Sequence, residues 1–328
     1  MLRREIETAD GAAVVTPRGL AGLRARRRVR SQRLHARNPL MWAGAVIVAF
    51  FAVLAIFAPD IAPYGFSQYQ SHGVRFPTLA APSGAHLFGT DVRATDVLSV
   101  VTYGARTALE VVILAVLFSV FVGVPLGLIS GYVGGWADRI LVLIMDALFA
   151  FPYLLLAIVV AFLLSGTGVG EGVVTAAVAI TVVYVPQYFR VVRNSVISVR
   201  EETYVEAARA LGCPPRTIIT RYVARNVIQS VPVIATLNAA DSILTLAGLG
   251  FLGYGIQPSQ GAEWGYALQR AIPDAGAGIW WTAIFPGAAI VLLVTALTLL
   301  GEGLNDSFNP ALRGTRRMRV AGATGEGE

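Results

Sequence analysis

Six long apolar runs divide the chain, at residues 40–58, 108–128, 143–164, 173–189, 227–252 and 283–300. A helix needs roughly 20 apolar residues to cross a bilayer, and only helices or closed barrels satisfy their backbone polar groups in lipid. Each run has that length and lacks the two-residue alternation of a barrel strand, so the expected fold is an all-α integral membrane protein with six transmembrane helices.

The composition agrees and removes several function classes. Of 328 residues, 55% are hydrophobic and 14% charged. All 26 basic residues are arginine, so the lysine of a phosphate-binding P-loop is missing and no ATP site of that kind is expected in this chain. Three histidines (His35, His72, His86) and the single Cys213 have neither metal-site spacing nor the makings of a disulfide framework. No nucleophile, metal cluster or acid–base pair stands out, so the chain reads as something other than an enzyme.

Residues 1–39 form an Arg-rich polar tail, 40–58 the first span, and 59–106 a long connection rich in proline, glycine and aromatics. A membrane domain over 107–305 follows, interrupted by an Arg-rich loop at 190–226, and 306–328 close the chain. Alternate connections divide the arginines unequally. Ten lie in the tail, one is Arg139, seven fall between spans four and five, and four follow span six; the opposite side holds Arg75, Arg93, Arg106 and Arg270. The excess marks the cytoplasmic side, which puts both termini and the 190–226 loop there and 59–106 outside. Beside a span, the basic tail fits anionic lipid headgroups better than nucleic acid.

Within that loop, YVEAARALG (204–212) reads as a short helix. Thr203 and Glu206 have the spacing of a capping box, Gly212 suits the left-handed position after a helix, and Pro214 and Pro215 stop it. At about eight residues it is too short to persist alone in water and must dock on something. The sequence allows a linker helix resting on the bilayer or its own bundle, or a peg inserted in a groove of a soluble partner. Beyond Pro215, Ile218, Ile219, Tyr222 and Val223 form an apolar stripe on a second helix.

The segment PQYFRVVRNSVISVREETYVEAARALGCPPRTIITRYVARN (186–226) closely resembles the EAA loop of bacterial ABC importer permeases, the match lying in Glu206, Ala207, Ala208 and Gly212. HLFGTDVRATDVLSVVTYGARTAL (86–109), GYVGGWADRILVLIMDALFAFP (131–152), FLGYGIQPSQGAEWGYAL (251–268) and PGAAIVLLVTALTLLGEGLNDSFNP (286–310) are similar to the C-type subunit of the dipeptide, oligopeptide and nickel group. The chain departs from that pattern at Arg93–Asp96, at Ala224–Asn226 where a Leu-Pro-Asn is usual, at Leu246 in place of an acidic residue, and mildly at Gly301–Asp306.

This resemblance implies a MetI-like ABC importer transmembrane domain in the bacterial cytoplasmic (inner) membrane, carrying dipeptides or oligopeptides; nickel or another small solute is the alternative. It implies a heterodimer with a second permease subunit, two cytoplasmic ATPase subunits that bind the ATP and magnesium, an extracytoplasmic solute-binding protein, and no cofactor in this chain. Tyr204, Glu206, Ala207, Ala208, Arg209, Leu211 and Gly212 would then engage the ATPase. A secondary transporter would need an ion site and internal repeat that the sequence does not display.

Four further readings concern the spans. Asp241, with Asn238 nearby, lies near the middle of span five, where a carboxylate is costly unless it faces protein or water, and both are candidates to line a path; a hydrogen bond of Asp241 with Asn238 or Ser242 is the alternative. Asp138 and Asp146 are expected to pair with Arg139 or Arg190. Gly123, Gly127, Gly248, Gly250 and Gly253 allow close helix approach, while Pro125, Pro152, Pro186 and Pro232 kink or cap spans. The five tryptophans (42, 136, 264, 280, 281) are expected to form an interfacial belt.

Overall fold

The computed structural model describes residues 39–165 and 172–308; expectations for the basic tail and the last residues lie outside these. Among the described residues five helices are long and apolar enough to cross a membrane, and a sharply bent pair is either a sixth, broken span or a re-entrant loop. In chain order the helices are α1 (Pro39–Ile56), α2 (Ala58–Ile61), α3 (Val97–Val133), α4 (Gly135–Ala150), α5 (Tyr153–Leu164), α6 (Val173–Val199), α7 (Thr203–Ala210), α8 (Pro215–Phe251), α9 (Trp264–Gly276) and α10 (Trp281–Phe308). The expected spans are too short in several cases: α3 starts within the 59–106 connection, and α6 runs on into the 190–226 loop.

Span three departs most from expectation. Its apolar run is continuous, but the chain breaks at Phe151–Pro152 and α4 meets α5 at 100°. Pro152 has no N–H to continue the ladder, and it holds Phe151 in extended backbone (φ −76°, ψ 141°). Pro125 and Pro186, by contrast, lie inside helices that continue past them.

The core sits where α3, α6, α8 and α10 meet, around Val111, Ile180, Ile243, Leu249 and Leu293. Close approach of α3 and α6 rests on Gly123, Gly127 and Gly131, one helical turn apart. A Cβ on Gly127 would lie 2.8 Å from the Phe189 carbonyl oxygen and 2.9 Å from Val192 Cβ, and one on Gly131 would lie 2.8 Å from the Arg193 carbonyl oxygen. Backbone against backbone at this range is the small-residue packing of membrane helices, where dispersion and shape take the place of the hydrophobic drive.

The connection into α3 is ordered by side-chain hydrogen bonds. Asp96 caps α3 by accepting from the Ser99 N–H and hydroxyl, both at 2.8 Å, and its other oxygen lies 2.9 Å from His86 Nδ1. A two-residue antiparallel pair, β1 (Gln70–Ser71) with β2 (Val74–Arg75), closes a turn of this connection.

The tryptophan belt is half right. Trp42, Trp136 and Trp280 are exposed, but Trp264 and Trp281 are buried. Trp264 lies against Gly104 and donates to the Val101 carbonyl at 3.1 Å; Trp281 donates to the Thr90 carbonyl at 3.2 Å. A buried indole needs a partner for its N–H, and both have one.

Helix α9 went unrecognised in the sequence. Glu263 caps it, accepting from the Gly265 and Tyr266 N–H groups at 2.7 Å each, and packs directly on Gly250 at the end of α8. Burial pushes the Glu263 carboxyl up to about 7, against the pull of those two backbone donors. Because this lies above the ordinary 4.5, the folded protein holds the proton longer than the unfolded chain. The contribution of Glu263 to stability is therefore greatest below about 4.5, falls as pH rises to about 7 and is flat above, a loss on the order of 3 kcal/mol over the window. Glu263→Gln is expected to flatten that profile, as read by the melting temperature of the detergent-purified protein between pH 4.5 and 8.

Candidate functional site

Helix α7 lies between the end of α6 and the start of α8. Thr203 is its first residue and Glu202 its N-cap, with no side-chain cap bond, so the expected capping box is absent. The Glu202 carbonyl instead accepts from Val205 at 2.9 Å and Glu206 at 3.2 Å. The C-terminus follows expectation: Gly212 has φ +77°, its N–H reaches the Arg209 carbonyl at 3.0 Å, and the Cys213 N–H reaches Ala208 at 3.1 Å. These two bonds are the Schellman arrangement, which favours glycine at the left-handed position.

The helix has two faces. Val205 and Ala208 are buried, Val205 sharing an apolar cluster with Ile218 and Val223 of α8. Tyr204, Glu206, Ala207, Arg209, Leu211 and Gly212 are exposed, Leu211 to 84%. Ala208 is thus not available to a partner; it fastens the helix to its own bundle. Glu206 and Arg209 form no ion pair with each other or with any other of the described residues, and both lie on the outer face. Asn226 donates to the Tyr204 hydroxyl at 2.8 Å, tying the outer face back to α8.

The first half of α8 is not uniform. Ile218–Val223 form a π-helical segment in which Ile218 and Val223 are buried, Ile219 is half-buried and Tyr222 is exposed. The expected α-helical stripe of four is thus reduced to two buried anchors.

Three arginines of α6 fix its end to α3 and α4. Arg193 grips Asp138 with two bonds of 2.6 and 2.7 Å, Arg190 reaches Asp146 at 2.7 Å, and Arg200 donates to the Gly131 carbonyl at 2.9 Å. The expected Asp146–Arg190 pair is present; Asp138 takes Arg193, which the sequence reading overlooked, in place of Arg139. A bidentate guanidinium–carboxylate contact fixes orientation as well as distance.

Asp241 and Asn238 part company. Asp241 is exposed and lines a concavity inside the α4–α5 bend, together with Phe149, Phe151, Tyr153, Tyr184 and Gln187. Asn238 is 1% exposed, is not among the lining residues, and its side-chain amide lies beside the Tyr188 hydroxyl without a well-formed hydrogen bond among the described residues. The alternative bond from Asp241 to Ser242 is also absent, since the Ser242 hydroxyl is committed to the Asn238 carbonyl at 2.6 Å.

Comparisons with known proteins bear on this arrangement. Residues 123–314 match the family described as binding-protein-dependent transport system inner membrane component, and residues 32–82 match the N-terminal transmembrane domain of oligopeptide transport permease C. The chain is 37% identical over 280 residues to the dipeptide transport system permease protein DppC of Alkalihalophilus pseudofirmus, covering 84% of this chain and 88% of that one. It is 36% identical over 281 residues to the glutathione transport system permease protein GsiD of Pectobacterium atrosepticum, covering 86% and 90%. Among solved structures, an inward-facing form of the MetNI methionine ABC transporter shares the fold, with a TM-score of 0.50 and 20% identity over 64% of this chain and 94% of that one. The buried back and bare front of α7, on a body of membrane-spanning helices, stand in a chain that belongs to the binding-protein-dependent transport system inner membrane component family.

Proposed function

We propose that the chain is one of two membrane-spanning subunits of an ATP-driven importer of dipeptides or oligopeptides, with both termini and α7 on the cytoplasmic side. The observation that carries this reading is α7 itself: a helix of eight residues, closed at its C-terminus by Gly212, anchored by Val205 and Ala208, and presenting Glu206, Ala207, Arg209 and Leu211 outward. A short helix held rigidly by its inner face is suited to enter a groove of a soluble partner, here an ATPase subunit. The dipeptide and glutathione permeases among its relatives support the cargo class.

Coupling follows from where α7 is fastened. Its flanks are α6, clamped to α3 and α4 by Arg193, Arg190 and Arg200, and α8, held through Val205 and Tyr204. A displacement of α7 by closing ATPases would pass into both. The ATPases must hold α7 differently in their two states, because a ligand shifts a conformational equilibrium only by its differential affinity. Asp241 would line the path between the two permease subunits; Asn238, buried beside Tyr188, is assigned no part in it.

The test is reconstitution with the second permease, the ATPases and the solute-binding protein in proteoliposomes. Uptake of a labelled dipeptide is expected with ATP and not with ADP, and the ATPases are expected to co-purify with this chain. Uptake by this chain alone, driven by a proton gradient without ATP, would overturn the reading in favour of a secondary transporter.

A further inference from the structure

The concavity inside the bend of span three holds about 580 Å³, within the range of small-molecule sites. Three elements build it: Phe149–Tyr153 at the α4–α5 break, Val183, Tyr184 and Gln187 of α6, and Asp241 and Leu244 of α8. The charge balance of its wall is one-sided. No cation and no hydrogen-bond donor reaches the Asp241 carboxylate among the described residues. The basic group beside the cavity is already committed: Arg190 lies 4.0 Å over the Phe149 ring and is bonded to Asp146.

The backbone that carries Asp241 is nevertheless held on a fixed frame. Tyr184 and Thr245 hydroxyls lie 3.0 Å apart, and Thr245 donates to the Asp241 carbonyl at 2.9 Å. Four aromatic rings (Phe149, Phe151, Tyr153 and Tyr184) line the same space. A carboxylate without a partner at this depth is costly against lipid, and the phenols and the Gln187 amide suit an aqueous wall better than an acyl chain. A single carboxylate with aromatic faces around it suits a compact organic cation, whose charge meets the acid while the rings contact its periphery. It offers too few oxygen ligands to replace the shell of a divalent metal ion.

Building on the importer reading, we propose that this concavity is a solute station that accepts a free ammonium group, with Asp241 as its counter-charge. A peptide with an unblocked amino terminus is the class of solute it takes, and an N-acylated peptide is the class it passes over.

The station can be probed separately from the specificity of the solute-binding protein. In the assembled importer in proteoliposomes, Cys213→Ser removes the native thiol and Ala150→Cys places one in the cavity wall, at an exposed residue at the end of α4. A cationic thiosulfonate reagent is expected to modify that thiol about tenfold faster than an anionic one, from attraction across a partly aqueous gap. Asp241→Asn should bring the ratio close to one, and Asp241→Glu should keep it. Alanyl-alanine should slow modification more than its N-acetyl derivative. The proposal is overturned by a thiol that neither reagent reaches, by a ratio that survives Asp241→Asn, or by equal protection from both peptides. ATP-driven uptake by the Cys213→Ser importer is the control: failure there counts against the importer reading, whereas failure of the thiol pattern with uptake intact counts against the station alone.

Discussion

Leu211→Asp is expected to leave the chain folded and inserted and to cut ATP-driven uptake to background. Leu211 is 84% exposed and touches little of its own chain, so its loss costs the fold almost nothing. In a partner's groove the same side chain would be a central apolar anchor, and truncating such an anchor typically costs about 2 kcal/mol or more, a factor of about 30 in affinity. A buried aspartate adds a desolvation cost to that loss. Co-purification of the ATPases should fall accordingly, while yield and melting temperature stay within error of wild type. Glu206→Lys should act in the same direction. Val205→Asp is the informative contrast: at 0% exposure it should destabilise α7 itself, and the protein should melt earlier. If Leu211→Asp retains full uptake, α7 is a linker and the peg reading is wrong.

Gly127→Leu is expected to prevent accumulation of folded protein. Even the first added carbon meets the Phe189 carbonyl oxygen at 2.8 Å and Val192 Cβ at 2.9 Å, and neither can move without shifting α6. Overpacking of this sort costs about 1–3 kcal/mol for modest additions and more where backbone must yield, against a total stability of about 5–15 kcal/mol. Gly127→Ala should therefore lower the melting temperature measurably and Gly127→Leu should leave only aggregated or degraded chain, read by fluorescence-detected size exclusion in detergent. Gly276→Ala makes a control, since a Cβ there meets nothing within 4 Å. A Gly127→Leu protein that elutes as wild type would show that α3 and α6 are not packed this closely in the membrane.

Much of this body was legible because lipid imposes simple rules: hydropathy located the five long spans and the apolar run of the bent pair, and the small-residue spacing at Gly123 and Gly127 marked a close helix contact. The closing turn of α7 was legible for a similar reason, since a glycine followed by two prolines leaves the backbone few options. What escaped detection depended on three-dimensional choice. A continuous apolar run carries no record of a 100° bend, although Pro152 marked where one was possible. Trp264 and Trp281 look like interfacial residues until Gly104 and Thr90 supply a niche and an acceptor. Helix α9 was hidden because its cap is a glutamate, a residue seldom preferred at that position. Asp138 found Arg193 across 55 positions of chain, a partnership that local spacing does not encode.

The π-helical turn at Ile218–Val223 has a bearing on length. In an α-helix, residues five apart are turned about 140° from one another, so Ile218 and Val223 would face different directions. The wider turn brings both inward by absorbing one residue as a local swelling, as π-bulges do. A loop one residue shorter, wound as ordinary α-helix, is thereby compatible with the same orientation of α7. The swelling acts as an expansion joint between the short helix α7 and a rod whose facing the bundle dictates.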